Sequence, residues 1–454
     1  MTLPDDPSRR RFLTSLAAAS AGLAFGCTEQ ATRMLSPTIR TKSSDVLGSS
    51  PTNGFDHVIV VMMENRSFDH LLGWVPRADG KQAGLWFTDQ NGERHRTYTL
   101  APDFQGCGHP DPDHSYAGGR IQFNNGACDG FLRSGDNDEY AIGYYRRPDL
   151  DFFGRAVGDW TTGDRYFCSI LGPTFPNRFY QHSGQTDRIS NTLVVSQLPT
   201  IWDRMALAGR STRYYYSDLP FVALWGAKYL PIARTIDTFF TDVAAGTLPN
   251  LCFVDPQFGG EDEGTSSDDH PHADIRVGEA FLHRIYTAVT NSPAWERTVL
   301  VINYDEWGGF YDHVPPPITP VSPGDITAGN TDGRLGFRTP LLVVSPFARA
   351  NHVAHDVYDH TSILKMIETR WGLAPLGAKD AAANNLADVL DFSQSPRSAP
   401  QYPAPPTIVP AACAENLAAN SAERVASSAR TKTAPAGENW HELRQLAVAN
   451  GWAL

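Results

Sequence analysis

Residues 298–313, TVLVINYDEWGGFYDH, decide the fold. Val299, Leu300, Val301 and Ile302 form a continuous branched apolar run, the pattern of a strand covered on both faces in a parallel sheet. Asp305 and Glu306 follow at its carboxyl end. In open α/β sheets ligands bind outside the carboxyl ends of the strands, so this pair is placed to hold a cation. Gly308 and Gly309 let the backbone turn close to whatever is bound. A solvated loop behind a core strand would explain the pair alone equally well, and the rest of the chain decides between the two.

Working outward, residues 55–63, FDHVIVVMM, repeat the arrangement and end in Glu64-Asn65-Arg66-Ser67-Phe68-Asp69-His70. A second buried strand thus delivers a carboxylate at its carboxyl end, and Ser67 is placed to cap a following helix. Residues 251–254 form a third apolar strand, which opens into Asp255 and later His270-Pro271-His272. Between these, Glu261, Asp262, Glu263, Asp268 and Asp269 read as a solvated acidic loop, with a second cation site as the alternative. Residues 273–290 carry Ile275, Ala280, Phe281, Ile285, Ala288 and Val289 at helical spacing. Residues 341–344 read as a further strand, and Asp359-His360-Thr361 opens a helix whose Ile363, Leu364, Ile367 and Trp371 face a core; His360 caps or packs there. Strands alternating with helices give an α/β class with a central, mostly parallel sheet flanked by helices.

Residues 151–167 read as helical, and 199–208 as a helix closed by Gly209. Pro173 and Pro176 flank Thr174, which fixes its backbone and argues against a regular helix at that point. Residues 28–54, rich in Ser, Thr, Pro and Gly, read as a linker to a folded domain over 55–392. Within that domain 76–150 is a long irregular insertion of the kind that serves as a lid or binding element. Residues 393–454 form a C-terminal tail, and its stretch 393–437, rich in Ala, Pro and Ser, reads as loosely packed.

The chain has 454 residues, 41% of them hydrophobic and 11% aromatic, enough for one large α/β domain with insertions or for two domains. Its 38 Lys and Arg against 50 Asp and Glu leave a formal charge of −12, and no basic cluster follows the N-terminus. That excludes nucleic acid as the main partner, because phosphate-backbone binding needs a basic footprint. It leaves open phosphate esters held by a metal, which supplies positive charge locally.

Ser8-Arg9-Arg10-Arg11-Phe12-Leu13, followed by a short Ala-rich apolar run, matches a twin-arginine export pattern over 1–27. The expected partner is the twin-arginine export machinery, and the expected location is periplasmic, cell-surface or secreted. Leu23-Ala24-Phe25-Gly26-Cys27 resembles a lipoprotein cleavage box with Cys27 as the lipid-anchored residue, and departs from it at Ala24. Of the other cysteines, Cys107, Cys128, Cys168, Cys252 and Cys413, at most two pairs can form outside the cytoplasm. Spacing does not fix the pairing, and Cys107 with Cys128 is one arrangement. No C-x-x-C spacing is present, which argues against a zinc-thiolate site.

Three separated motifs carry a resemblance: Glu64-Asn65-Arg66-Ser67-Phe68-Asp69-His70, Gly172-Pro173-Thr174-x-Pro176-Asn177-Arg178, and Asp305-Glu306-x-Gly308-Gly309-x-Tyr311-Asp312-His313. In this order they resemble the bacterial phosphoesterase family, which contains phospholipases C and acid phosphatases, over roughly residues 55–375. The resemblance implies an alkaline-phosphatase-like α/β sandwich with its site at the strand ends. It implies Glu64, Asp305, Glu306 and Thr174 as ligands of one divalent metal, with Thr174 also the nucleophile. It further implies that Asn65, Asn177, His114 and His270 surround the phosphoryl oxygens or serve the leaving group.

Chemistry supports that assignment independently. Carboxylates are hard oxygen ligands that favour Ca²⁺, Mg²⁺ or Mn²⁺. A threonine hydroxyl is a weak nucleophile until a cation or base activates it. A histidine with a pKa of about 6.5 can protonate a departing alkoxide. Plainer roles compete at each position: Thr174 and Asn177 as shapers of a Pro-rich turn, His114 as a loop histidine, His272 in place of His270, His313 as an orienting or packing residue.

The expected activity is phospholipase C cleavage of a phosphatidylcholine-like substrate, with transient contact at a membrane surface and a phospho-threonine intermediate. The alternatives are a broad acid phosphatase acting on small phosphomonoesters and a non-catalytic surface binding protein. Trp307, Tyr311, Tyr144, Tyr145 and Tyr214-Tyr215-Tyr216 are candidates for a cage around a choline headgroup, with the core as their other destination.

Overall fold

The computed structural model describes residues 54–261, 263–413 and 439–454. The twin-arginine segment, Cys27, the linker as far as residue 53, Asp262 and residues 414–438 of the tail lie outside them. Eight strands form the central sheet: β1 (His57–Met63), β2 (Thr161–Gly163), β3 (Thr212–Tyr216), β4 (Ala233–Thr235), β5 (Leu251–Asp255), β6 (Thr298–Tyr304), β7 (Leu341–Val344) and β8 (His352–Ala354). Their order is β8-β2-β7-β6-β1-β5-β3-β4. The run from β6 to β4 is parallel, while β7 lies antiparallel to both β6 and β2. The class is therefore α/β with a mostly parallel sheet. Every residue of β6 is buried, which is why its sequence shows no polar alternation.

β1 lies between β6 and β5, with Met63 beside Tyr304 and Val61 beside Val254. That register brings Glu64, Asp305 and Asp255 to one edge of the sheet, at the carboxyl ends of three adjacent parallel strands. The helices that matter to this edge are α1 (Phe68–Leu72), α2 (Thr174–Ser183), α3 (Ile275–Thr290), α4 (His360–Trp371) and α5 (Trp440–Ala449). Ser67 caps α1, its hydroxyl accepting from His70 N at 3.3 Å. Among the described residues no helix is long and apolar enough to cross a membrane.

The structure corrects several expectations. Only Phe153–Ala156 of residues 151–167 is α-helical; Thr161–Gly163, with its β-branched pair, joins the sheet beside β7 instead. Thr174 does begin a helix despite its flanking prolines, because Pro176 falls in the first turn, where a backbone N–H has no intrahelical acceptor to lose. In the tail, no residue of 393–413 is buried, although Tyr402 stacks on Tyr286 at 4.8 Å; beyond that stretch Trp440 stacks on Phe258 at 4.0 Å. Cys107 pairs with Cys413, not Cys128, while Cys128, Cys168 and Cys252 are buried thiols. A few widely spaced anchors hold this segment, and such anchors leave no periodic trace in sequence.

Glu279 on α3 is wholly buried, and its Oε2 accepts from the backbone N of Phe152 and of Phe153, the latter at 3.1 Å. Burial, reinforced by the charge of Asp269, pushes its carboxyl from 4.5 up to about 8. The folded state thus keeps a proton that the unfolded chain releases above about pH 4.5, so stability falls as pH rises from about 4.5 to about 8. Glu279→Gln is expected to flatten that slope, by about 2–4 kcal/mol across the window in urea titrations of chelator-treated protein. An unchanged slope would refute the assignment.

Candidate active site

The site is built on the three strand ends. Asp305 is fully buried, and its Oδ1 accepts from Asn65 N at 3.2 Å and from Glu306 N at 2.6 Å. Asn65 holds a left-handed backbone with φ 60°, which a short amide side chain tolerates better than most. A Cβ on Gly308 would stand 2.0 Å from the Asn65 carbonyl oxygen, and one on Gly309 would stand 2.7 Å from the backbone of Pro112. Both glycines turn the backbone with positive φ, 61° and 69°, and leave room for neighbouring protein backbone. Glu306 is buried as well, its Oε2 accepting from Gly308 N at 2.7 Å.

α2 brings two residues to this edge. Thr174, buried at the first position of the helix, donates its hydroxyl to Glu64 Oε1 at 3.2 Å. The positive end of the helix dipole accompanies that hydroxyl, which favours an anion there, while the Phe175 N–H is taken by Asn191 Oδ1 at 2.8 Å. One turn later Arg178 reaches all three strand ends, with Nε 2.9 Å from Asp305 Oδ2, Nη1 3.4 Å from Asp255 Oδ1 and Nη2 3.7 Å from Glu64 Oε2. Burial pushes the Asp255 carboxyl up to about 7 even with Arg178 beside it.

Asn177 is placed otherwise than expected. Its Oδ1 accepts from Ile170 N at 3.0 Å, and its Nδ2 donates to the carbonyls of Ile170, Gly172 and Pro173. The amide is committed to the turn that presents Thr174, so Asn177 positions the hydroxyl and has no capacity left for a phosphoryl oxygen.

The acidic loop is solvated only in part, with Glu263 exposed. Glu261, Asp268 and Asp269 are each no more than 3% exposed. Arg66 draws the loop inward by donating to the carbonyls of Asp269 at 2.6 Å and His270 at 3.0 Å, and Glu64 N donates to the Asp268 carbonyl at 2.8 Å. One carboxylate oxygen each from Glu64, Glu261 and Asp268 lie within 4.8 Å of one another. Burial pushes the Asp268 carboxyl up to about 6. His270 sits beside this group, its backbone N on Asp268 Oδ1 at 2.9 Å and its Nε2 3.5 Å from Asp111 Oδ2. Burial alone would raise the Asp111 carboxyl, but His270, then His114 and His272, hold it below the usual carboxylate range. His114 donates from Nδ1 to the Pro112 carbonyl at 2.8 Å, which leaves Nε2 as its second position. His272 is engaged by Nε2 with the His109 carbonyl at 3.0 Å.

Two further sets of candidates stand outside this cluster. His313 bonds through Nδ1 to Asp69 Oδ2 at 2.5 Å, in a network where Arg338 Nε meets Asp312 Oδ1 at 2.9 Å. His360 packs at the start of α4, its Nε2 3.1 Å from the Tyr304 carbonyl. Trp307, Tyr311, Tyr144, Tyr145 and Tyr214 to Tyr216 are all core residues, and no cage is built from them. Sequence reasoning passes over Arg178, Asp255 and Asp111 as site residues, and weighs Glu261 and Asp268 only as an alternative cation site. Only Asp255 had a signal comparable to those used, since it too closes an apolar strand.

The donor set fits a hard divalent cation. Glu64, Asp305, Glu306, Glu261 and Asp268 offer only oxygen, all are buried, and Asp268 Oδ2 has no hydrogen-bond partner. Buried carboxylates drawn this close repel unless positive charge separates them, and Arg178 is one charge among several acids.

A threonine hydroxyl at a helix N-terminus, facing carboxylates at parallel strand ends, suits an enzyme that hydrolyses phosphoester bonds, and known proteins of that class resemble this chain. It belongs to the Phosphoesterase family, whose model matches residues 55–374. Non-specific phospholipase C6 of Arabidopsis thaliana is 30% identical over 383 residues, covering 75% of this chain and 73% of that protein. Phospholipase C B of Mycobacterium tuberculosis is 28% identical over 471 residues, 86% of this chain and 87% of that one. Among solved structures, a protein in the alkaline phosphatase superfamily from Vibrio parahaemolyticus covers 77% of this chain and 75% of its own at 9% identity, with a TM-score of 0.37.

Proposed function

We propose that the chain is an exported, metal-dependent phospholipase C, which cleaves phosphatidylcholine-like lipids to diacylglycerol and a phosphorylated headgroup through a threonine-bound intermediate. The observation that carries this is the buried Thr174 hydroxyl, held at the start of α2 and donating to Glu64 Oε1 at 3.2 Å. The relatives named phospholipase C support the substrate class. The twin-arginine pattern at residues 8–13 supports export, and so does the Cys107–Cys413 disulfide, a bond that persists in oxidising compartments.

In this reading Thr174 Oγ1 attacks phosphorus while its proton passes toward Glu64 Oε1. The bond between phosphorus and the glycerol oxygen breaks as the one to Thr174 forms. His270, seated on Asp111, or His114 beside it, gives the departing alkoxide its proton. Water then attacks the phosphorus, losing its proton to the same, now neutral, histidine, and Thr174 departs as the hydroxyl with the proton returned from Glu64. The positive end of the α2 dipole, with Asn65 at the same edge, favours the developing negative charge. Glu64, Thr174, Asp305 and Glu306 would hold one Ca²⁺, Mg²⁺ or Mn²⁺, which when bound acidifies a hydroxyl and neutralises phosphoryl oxygens.

The test is steady-state hydrolysis of p-nitrophenylphosphorylcholine beside p-nitrophenyl phosphate, with chelator and metal add-back. Faster diester cleavage that chelator abolishes and metal restores is the expected result. Faster monoester cleavage would move the function to acid phosphatase, and turnover of neither from acid to neutral pH would return the binding-protein alternative.

A further inference from the structure

We propose that Glu64, Glu261 and Asp268 form a second divalent-cation site beside Thr174, so that Glu64 is shared between two cations. The inference rests on the metal-dependent reading above and extends it. These residues come from two places, Glu64 from the end of β1 and the other two from the loop that follows β5. One oxygen of each lies within 4.8 Å of the others, in reach of a single ion. The decisive group is Asp268, which is fully buried. Its Oδ1 accepts from Ser266 Oγ at 2.7 Å and from His270 N at 2.9 Å, while its Oδ2 has no hydrogen-bond partner. A buried carboxylate oxygen without a donor is unfavourable, and a cation among the three acids removes that cost.

The loop is held where such a site needs it. Glu64 N donates to the Asp268 carbonyl at 2.8 Å, and Arg66 fixes the next two carbonyls, so the carboxylates are positioned by backbone rather than by one another. There is also a way in. Glu261 lines a cavity of about 720 Å³ whose wall includes Asp218, Glu263 and Glu442, and this acidic approach concentrates cations. The ligands inferred for the first ion lie toward β6, with Asp305 and Glu306. The shared Glu64 accepts from the Thr174 hydroxyl at 3.2 Å, so an ion held by the trio would stand near the reacting oxygen.

The experiment is Mn²⁺ binding to chelator-stripped full-length protein, followed by calorimetry, elemental analysis after gel filtration and electron paramagnetic resonance. Wild type is expected to bind two Mn²⁺ per chain with a spectrum broadened by spin coupling. Asp268→Asn and, separately, Glu261→Gln are expected to bind one, with an uncoupled spectrum. Circular dichroism of the metal-free variants checks that the fold is retained, and two positions guard against one failing. A wild-type stoichiometry of one overturns the second site and leaves the single-metal reading intact, whereas a stoichiometry of zero overturns both. Loss of both ions in a folded variant would mean that the trio is the first site, which also overturns the proposal.

Discussion

Thr174→Ala is expected to lower turnover of p-nitrophenylphosphorylcholine by on the order of ten-thousand-fold while the protein stays folded and keeps its metal. The substitution removes the hydroxyl that donates to Glu64 Oε1 and nothing that holds the fold, because the turn before α2 is kept by the Asn177 amide. Carboxylates remain to bind the ion. Thr174→Ser, which retains a hydroxyl at the same helix position, is expected to keep substantial activity. Loss of metal together with activity in the alanine variant would show that Thr174 matters as a ligand more than as the attacking group.

Arg178→Met is expected to destabilise the metal-free protein by about 3–5 kcal/mol, since it leaves buried carboxylates without their counter-charge. The affected groups are Glu64, Asp255 and Asp305, each within 3.7 Å of the guanidinium. The loss has a pH signature. Asp255, already pushed up to about 7, takes a proton as pH falls, so the deficit shrinks toward acid and is largest above neutrality. Asp255→Asn in the Arg178→Met background removes one of the stranded charges and is expected to recover part of the loss. Equal urea midpoints for wild type and Arg178→Met above pH 7 would contradict this role.

Much of this architecture was legible in the sequence. The runs through Val58 to Met63 and Val299 to Ile302 are continuous because both faces of β1 and β6 are covered, and each ends in the carboxylate that sequence reasoning selected. Arg178 was harder to read, because its value depends on strands β1, β5 and β6 being neighbours, a fact of topology rather than local pattern. The acidic loop misled for a related reason. Charge density ordinarily signals solvent, and here Arg66, far away in sequence, turns the loop inward by its carbonyls. Thr174 shows how far a local rule reaches: two flanking prolines argue against a helix interior, but not against a helix start. Asn177 was assigned by motif to the phosphoryl group, and only its contacts with Ile170, Gly172 and Pro173 reveal the positioning role.

The central claim is that Thr174 carries the phosphoryl group during turnover, and rapid acid quench of the enzyme with p-nitrophenylphosphorylcholine, followed by peptide mass spectrometry, tests it most directly. The account predicts phosphorylcholine esterified to Thr174 in the quenched wild type and no adduct in Thr174→Ala. An adduct on another residue, or sustained turnover by wild type with no adduct and no pre-steady-state burst, would contradict it.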